Sequence, residues 1–318
     1  MNLNAAWSRW WLLVSLALLL LPGFASPYVL HWIILILMYS YLGQCWNVVG
    51  GLLGRLSLGH AAFFGLGAYL SALLGNQFTI VGLLGSLAGA CLAGLILATM
   101  TALLTLRYRV DGVYFSLFTI AICEVLRLLV RSTNKLGKLR LGGAQGLIVN
   151  SGIHGKPAHY YLWLSLLIIL TLWIGYGRKR YWGLAAIAIR DDQKAAEMIG
   201  IDTFKVSLVV LALSGLLTGL GGALYASYFQ YINPDEVFGL PLSISLVVRS
   251  VLGGRDSVVG PVLGSLMLTP LAEVTRSFVG SGAYGVHIAL YGFSLVLITI
   301  LAPEGIIPRL KRAKASRP

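Results

Sequence analysis

The residues of this chain that could do chemistry are a few ionisable groups set inside apolar runs. Glu124, Arg127 and Arg131 recur at helical spacing within one such run. A charge there is costly in hydrocarbon, so it marks either a solute pathway or an ion pair that fixes helix packing. Arg127 either pairs with Glu124 or snorkels to the outer interface. His60 and Tyr69 lie on a glycine-rich stretch, where they line a pathway or pack, and Ser57 is placed to cap the helix they start. Arg249 stands near the inner end of a shorter run and is expected to snorkel. His31, His60, His154, His159 and His287 are scattered, without metal-ligand or Ser/His/Asp spacing. The 51–59 stretch is glycine-rich but has no lysine, so no Gly-x-x-x-x-Gly-Lys-Ser/Thr phosphate loop is present. These residues predict neither an enzyme nor a metal or cofactor site on this chain.

A second kind of chemistry is contact. Residues 178–205 form a charged island in an apolar sequence. Within it, Asp191 or Asp192 can accept from free backbone N–H groups and cap a helix, and Gly200 can end that helix in the left-handed conformation. Arg190 and Lys194 flank its start. Ala195, Met198 and Ile199 fall on one face, and the Ala195–Ala196 pair keeps it slim enough to enter a groove on a soluble protein. The plainer alternative is an ordinary loop with one helical turn.

The elements that hold these residues are apolar helices. Of 318 residues, 58% are hydrophobic and 11% charged, against about 25% charged in soluble domains. The mean hydropathy is +0.83. Continuous apolar runs of this length predict an all-α, polytopic transmembrane bundle, a single domain over 1–318. About ten spans are expected, eight to ten being compatible with the pattern: 10–25, 28–48, 57–75, 78–106, 111–131, 158–177, 206–231, 239–253, 257–276 and 284–302. Pro27 after Ser26 disfavours signal cleavage, so the first span is expected to stay in place. Small residues four apart (Gly85, Gly89, Ala93; Ala90, Gly94, Ala98; Gly215, Gly219, Ala223) predict close helix contacts. Cys45, Cys91 and Cys123 fall in apolar spans and read as unpaired packing residues.

Charge sets the sidedness. The net charge of +13 is spread over membrane-flanking loops, the distribution of the positive-inside rule rather than of a nucleic-acid binder. The basic 303–318 tail is therefore expected in the cytoplasm, with the N-terminus, Arg55, Arg107, Arg109 and the 178–205 segment. Asp235 and Glu236 fall outside. The 132–157 loop also falls outside, yet carries Lys135, Lys138 and Arg140; either one span is miscounted or the loop is basic in order to dock an acidic partner. Gly54-Arg55-Leu56-Ser57 and Gly254-Arg255-Asp256-Ser257 hint at an internal repeat.

The spacing Ala195-Ala196-x-x-x-Gly200 resembles the coupling motif of ABC-importer permeases, with Lys194 where that motif begins with Glu and without its downstream Ile-x-Leu-Pro. The run from Asn47-Val48-Val49-Gly50-Gly51 through Gly54-Arg55-Leu56-Ser57-Leu58-Gly59-His60 to Tyr69 is similar to the N-terminal signature of branched-chain amino acid ABC permeases of the LivM type. Gly112-Val113-Tyr114-Phe115-Ser116, Glu124-Val125-Leu126-Arg127, Gly142-Gly143-Ala144-Gln145-Gly146-Leu147, Gly221-Gly222-Ala223-Leu224-Tyr225, Leu252-Gly253-Gly254 and Pro303-Glu304-Gly305 follow in the family's order, with Leu141 where the family has Thr. The likeness covers about 30–310 and implies an ABC importer permease fold in a bacterial inner membrane. It implies a second homologous permease, two cytoplasmic ATPases carrying the ATP and Mg²⁺, and an extracytoplasmic binding protein. Substrates of such relatives are branched-chain or other amino acids, urea or short amides. The 178–205 segment becomes the ATPase-coupling contact, with Arg190, Asp191, Asp192, Lys194, Ala195, Ala196 and Gly200. Ser57, His60, Tyr69, Glu124, Arg127, Gly143 and Gly219 become candidates for the pathway or for helix packing. The rival from another class is an ion-coupled transporter or channel without ATPases.

Overall fold

A computed structural model describes residues 21–23, 25–75, 80–136, 139–149, 153, 155–255, 257–279 and 292. The expected span 284–302, most of 10–25 and the basic tail lie outside the described residues.

Lipid offers no backbone hydrogen bonds, so apolar runs close their own in helices. After the helical residues 21–23, the first helix described in full is α1 (Pro27–Asn47), started by Ser26, whose hydroxyl accepts from Val29 N–H. It continues as a π-helical turn, Val48–Leu53, that ends at left-handed Gly54 (φ 76°). Next come α2 (His60–Gly75), α3 (Ile80–Arg107) and α4 (Gly112–Ser132). α5 (Lys156–Gly177) leads to the short α6 (Tyr181–Asp191) and α7 (Gln193–Met198). The long α8 (Thr203–Phe229) is followed by one turn, α9 (Pro234–Val237), then α10 (Leu240–Gly253) and α11 (Gly260–Val279).

Two groups of helices make the core. α8 packs along α2 and α3, while α1 runs through the middle against α5, α10 and α11. The α8 contacts are made by the expected small-residue stripes. A Cβ at Gly94 would meet the carbonyl oxygen of Gly215, and one at Gly219 that of Ala90. Gly67 of α2 abuts the carbonyl of Gly219 from the other side. Only backbone without side chains allows this approach. The Gly85 end of the other stripe, by contrast, faces open space.

Among the described residues, six helical stretches are long and apolar enough to cross a membrane: Pro27–Leu53, Gly82–Arg107, Gly112–Ser132, Lys156–Gly177, Thr203–Phe229 and Pro234–Gly253. His60–Gly75 and Gly260–Val274 are apolar but shorter. The chain is thus a polytopic helical membrane protein. Small strands qualify the all-α reading. β1 (Lys135–Leu136) pairs with β2 (Leu139–Arg140), and β3 (Leu147–Ile148) pairs antiparallel with β4 (Tyr231–Ile232). The 132–157 stretch is therefore stitched to the end of α8 rather than hanging as a plain loop. Gly142, Gly143 and Gly146 supply its left-handed turns.

Candidate functional site

The charged island folds into α6 and α7, and both helix signals predicted for it are present. Asp192 Oδ1 accepts from Lys194 N–H at 2.8 Å and Ala195 N–H at 3.1 Å. Gly200, at φ 86°, closes a Schellman turn: Ile201 N–H donates to Ala196 O and Gly200 N–H to Glu197 O. Of the two aspartates, Asp192 is the cap, and Asp191 is exposed beside Arg190. Met198 and Ile199 are 82% and 76% exposed, and Ala195 and Lys194 are exposed with them. Ala196 faces the opposite way and is buried. The slim Ala195–Ala196 pair is therefore split between an outward and an inward face, because consecutive helical residues point about 100° apart.

Glu197 ties the far end of α7 to α8. It accepts from Thr203 Oγ1 at 2.8 Å and Gln193 Nε2 at 3.1 Å. The amide of Gln193 and the hydroxyl of Thr203 hold its carboxyl below the usual value.

Behind α7 the loops of one end of the bundle converge. Arg190 Nη1 donates to Gly51 O at 3.0 Å, and its aliphatic stem fills the space that a side chain at Gly54 would need. Arg55 pairs with Asp111 at 2.8 Å and reaches Gln193 Oε1 at 3.5 Å. Burial pulls the Arg55 guanidinium below its ordinary pKa, against the opposing effect of Asp111. Arg255 Nη2 donates to Gly54 O at 3.3 Å, and Asn47 Nδ2 to Ser257 O at 3.2 Å. The two Gly-Arg-x-Ser loops thus touch. Arg55, Arg107, Arg109 and the 178–205 segment share one end of the bundle, the end at which charge patterning groups them.

His60 starts α2 fully buried in a polar chain. Ser214 Oγ donates to Cys45 O at 2.7 Å, so it must accept from His60 Nε2 at 2.9 Å. That leaves His60 Nδ1 to accept from Ser57 Oγ at 3.0 Å. The direction of the chain puts a proton on Nε2, and a neutral imidazole is the form that lets Nδ1 accept. Ser57 consequently gives its hydroxyl to the histidine ring rather than to the helix backbone, which corrects its expected capping role. The freed Ala61 N–H is met by Ser243 Oγ of α10 at 3.0 Å. Tyr69 is buried on the same helix, its ring 5.6 Å from Phe238, and its hydroxyl has no hydrogen-bond partner among the described residues.

At the other end of the bundle, Arg127 pairs with Glu124 and bridges to Asp235 Oδ1 at 2.5 Å, with Arg131 3.4 Å from the same oxygen. Of the alternatives for Arg127, the ion pair is the one adopted. Gly143 is buried where a Cβ would meet Asn134 Oδ1. Lys135 is exposed and lies opposite Arg140 in the β1–β2 register, while Lys138 lies outside the described residues.

Arg249 is the clearest correction. It is 2% exposed, and instead of snorkelling it turns back along α10 to donate to Ser245 O at 3.3 Å. Its guanidinium stacks over Tyr39, and its Nε has no hydrogen-bond partner among the described residues. The signal was available, since Arg249 shares a helix face with Leu246 and, one turn further, Gly253. Ser214, Ser243 and Asp235 carried no such signal, because their partners lie more than a hundred residues away. No group of three or more metal-ligating side chains occurs among the described residues.

A polytopic bundle with glycine-tight seams, buried polar chains and one capped helix exposed at a loop end suits a membrane permease, and sequence comparison assigns that class. Residues 28–302 match the family described as branched-chain amino acid transport system / permease component, and the chain belongs to that family. The high-affinity branched-chain amino acid transport system permease protein LivM of Salmonella typhimurium is 27% identical, over 86% of this chain and 68% of the relative. LivH, the corresponding permease protein of the same organism, is 23% identical, over 85% of this chain and 91% of its own length. The autoinducer 2 import system permease protein LsrC of Yersinia pseudotuberculosis is 24% identical, over 61% of this chain and 55% of the relative. No solved structure matches the chain.

Proposed function

We propose that this chain is a transmembrane subunit of an ATP-driven importer for branched-chain or related amino acids. The capped helix α7 carries the proposal: it presents Met198 and Ile199 outward while Asp192 and Gly200 close its two ends and Glu197 ties it to α8. A helix so built transmits a push without unravelling. In this reading it docks in a groove on a cytoplasmic ATPase, which binds the ATP and Mg²⁺. Force then passes through Arg190 to Gly51 and the 54–59 loop, at the foot of α1 and α2. Alternating access follows as those helices shift about the buried His60 chain.

The remaining parts belong to the same proposal. They are about ten crossings, both termini in the cytoplasm of a bacterium, 178–205 as the coupling segment, and 132–157 on the outside docking a binding protein. A second homologous permease and two ATPases complete the complex. The names of the relatives support branched-chain amino acids over urea or short amides. A proton-coupled transporter would use a free intramembrane carboxylate, and Glu124 is already engaged by Arg127.

Reconstitution with the cognate permease, ATPases and binding protein tests the reading. ATP-dependent uptake of radiolabelled leucine is expected, absent when any subunit is left out. Uptake by this chain alone under an ion gradient would overturn it.

A further inference from the structure

Under α7 lies a cleft of about 270 Å³, walled by the 54–59 loop, the α3–α4 turn and the start of α8. Three arginines line it, Arg55, Arg107 and Arg109, against two acids, Asp111 and Glu197. Both acids are engaged. Asp111 pairs with Arg55, and Glu197 accepts from Gln193 and Thr203. Arg107 and Arg109 have no ion pair among the described residues, and the buried Nη1 of Arg55 has no hydrogen-bond partner there. Arg109 also holds a left-handed backbone (φ 52°), which a non-glycine residue adopts at a cost. Arg109 is near enough to Glu197 to help depress its carboxyl pKa, so the cleft has three guanidinium groups against two carboxylates: a net positive charge and the donors to hold an anion.

Its remaining walls say which anion. Leu106 and Phe204 are the apolar part of the lining. Next to them α3 exposes Met100, Leu103 and Leu104, a stripe spaced for one helix face toward hydrocarbon. The cleft thus opens from a cationic floor onto a membrane-facing helix. At about 30 Å³ per water, its volume suits a phosphate with its glycerol rather than a polypeptide segment.

We propose that this cleft binds the headgroup of an anionic phospholipid from the leaflet on the α7 side. The phosphate lies between Arg107 and Arg109, within reach of Arg55, and the acyl chains run along Met100, Leu103 and Leu104. Gln193 begins α7, Thr203 begins α8, and both line the same cleft, so the lipid contacts the mounting of the coupling helix. The proposal rests on that end of the bundle being cytoplasmic only for the choice of leaflet; binding itself does not depend on it.

Native mass spectrometry of the full chain in detergent tests it, with phosphatidylglycerol, phosphatidylcholine or inorganic phosphate added. The expected result is selective retention of phosphatidylglycerol, weakened by salt. A fall in affinity of about fivefold is expected for each of Arg107→Gln and Arg109→Gln, and none for Lys179→Gln, an exposed cation outside the cleft. Thermal melts confirm that the variants are folded, and the lipid selectivity and salt dependence of the unmodified chain stand without them. Equal retention of phosphatidylcholine, or retention indifferent to salt or to both arginines, overturns the proposal. Occupancy by inorganic phosphate without phosphatidylglycerol makes the ligand a soluble anion and also overturns it. Cysteine labelling at Met198 from either side of the membrane checks the orientation separately.

Discussion

The guanidinium of Arg249 lies 4.0 Å from the ring centroid of Tyr39, joining α10 to α1 inside the bundle. A desolvated cation over an aromatic face is worth up to about 2 kcal/mol. Tyr39→Leu is therefore expected to destabilise the purified chain by about 1–2 kcal/mol relative to Tyr39→Phe, which keeps the ring. Denaturant unfolding in detergent measures the difference, and equal midpoints would show that the ring contributes only its bulk.

Two glycines of α3 and α8 that read alike in the sequence should behave oppositely. Gly219→Ala forces a methyl group against the carbonyl of Ala90 and should cost about 1–3 kcal/mol. Gly85→Ala meets nothing within 4 Å and gains helix propensity, up to about 1 kcal/mol. Thermal unfolding of the two variants, run side by side, checks the sign of each.

Removing the acceptor of the His60 proton isolates the buried polar chain. Ser214→Ala leaves an unpaired N–H in the core, at a cost of about 1–3 kcal/mol. Nitrogen-15 spectra of the unmodified protein should show His60 neutral with its proton on Nε2. A proton on Nδ1 would contradict the donor order traced from Ser214 to Cys45 O.

For the docking role of α7, exposure separates contact from support. Met198→Asp and Ile199→Asp should leave stability within about 0.5 kcal/mol, as exposed substitutions do. ATPase association should weaken about tenfold or more if these are anchoring contacts. Ala196→Arg, placed in a buried position, should lose stability first. Pull-down of the ATPases together with melting of the permease distinguishes the two kinds of loss, and unchanged association in both aspartate variants would rule out the outward face as the contact.

Glu197 gives the mounting of α7 a pH dependence. Its folded pKa is depressed, first by the Gln193 hydrogen bond and then by Thr203. The sign follows: its contribution is present above the ordinary Glu value of about 4.3 and is lost as pH falls through the lower folded value. Amide protection in 193–200, relative to intrinsic exchange at each pH, should fall through that acidic window, whereas Glu197→Gln should show no such step. A step that persists in the variant would assign the titration elsewhere.

The parts of this protein legible in sequence are those governed by local rules. Apolar length located the helices from Pro27–Asn47 to Gly260–Val279 to within a few residues, since in lipid the backbone has few alternatives to a helix. The Asp192 cap and the Gly200 stop depend on neighbours within six residues. So does the pairing of Arg127 with Glu124, which are three apart. Family membership was legible for a different reason, as many short motifs in a fixed order.

Tertiary structure decided everything that depends on distant partners. It assigned Ser57 to a histidine ring instead of a helix end, and turned Arg249 inward to Tyr39. It divided Ala195 from Ala196, and brought the 54–57 and 254–257 loops into contact across two hundred residues. Local sequence determines which conformations a segment prefers. Which of its polar groups end up satisfied, and by what, is settled only when helices remote in the chain pack without room for water.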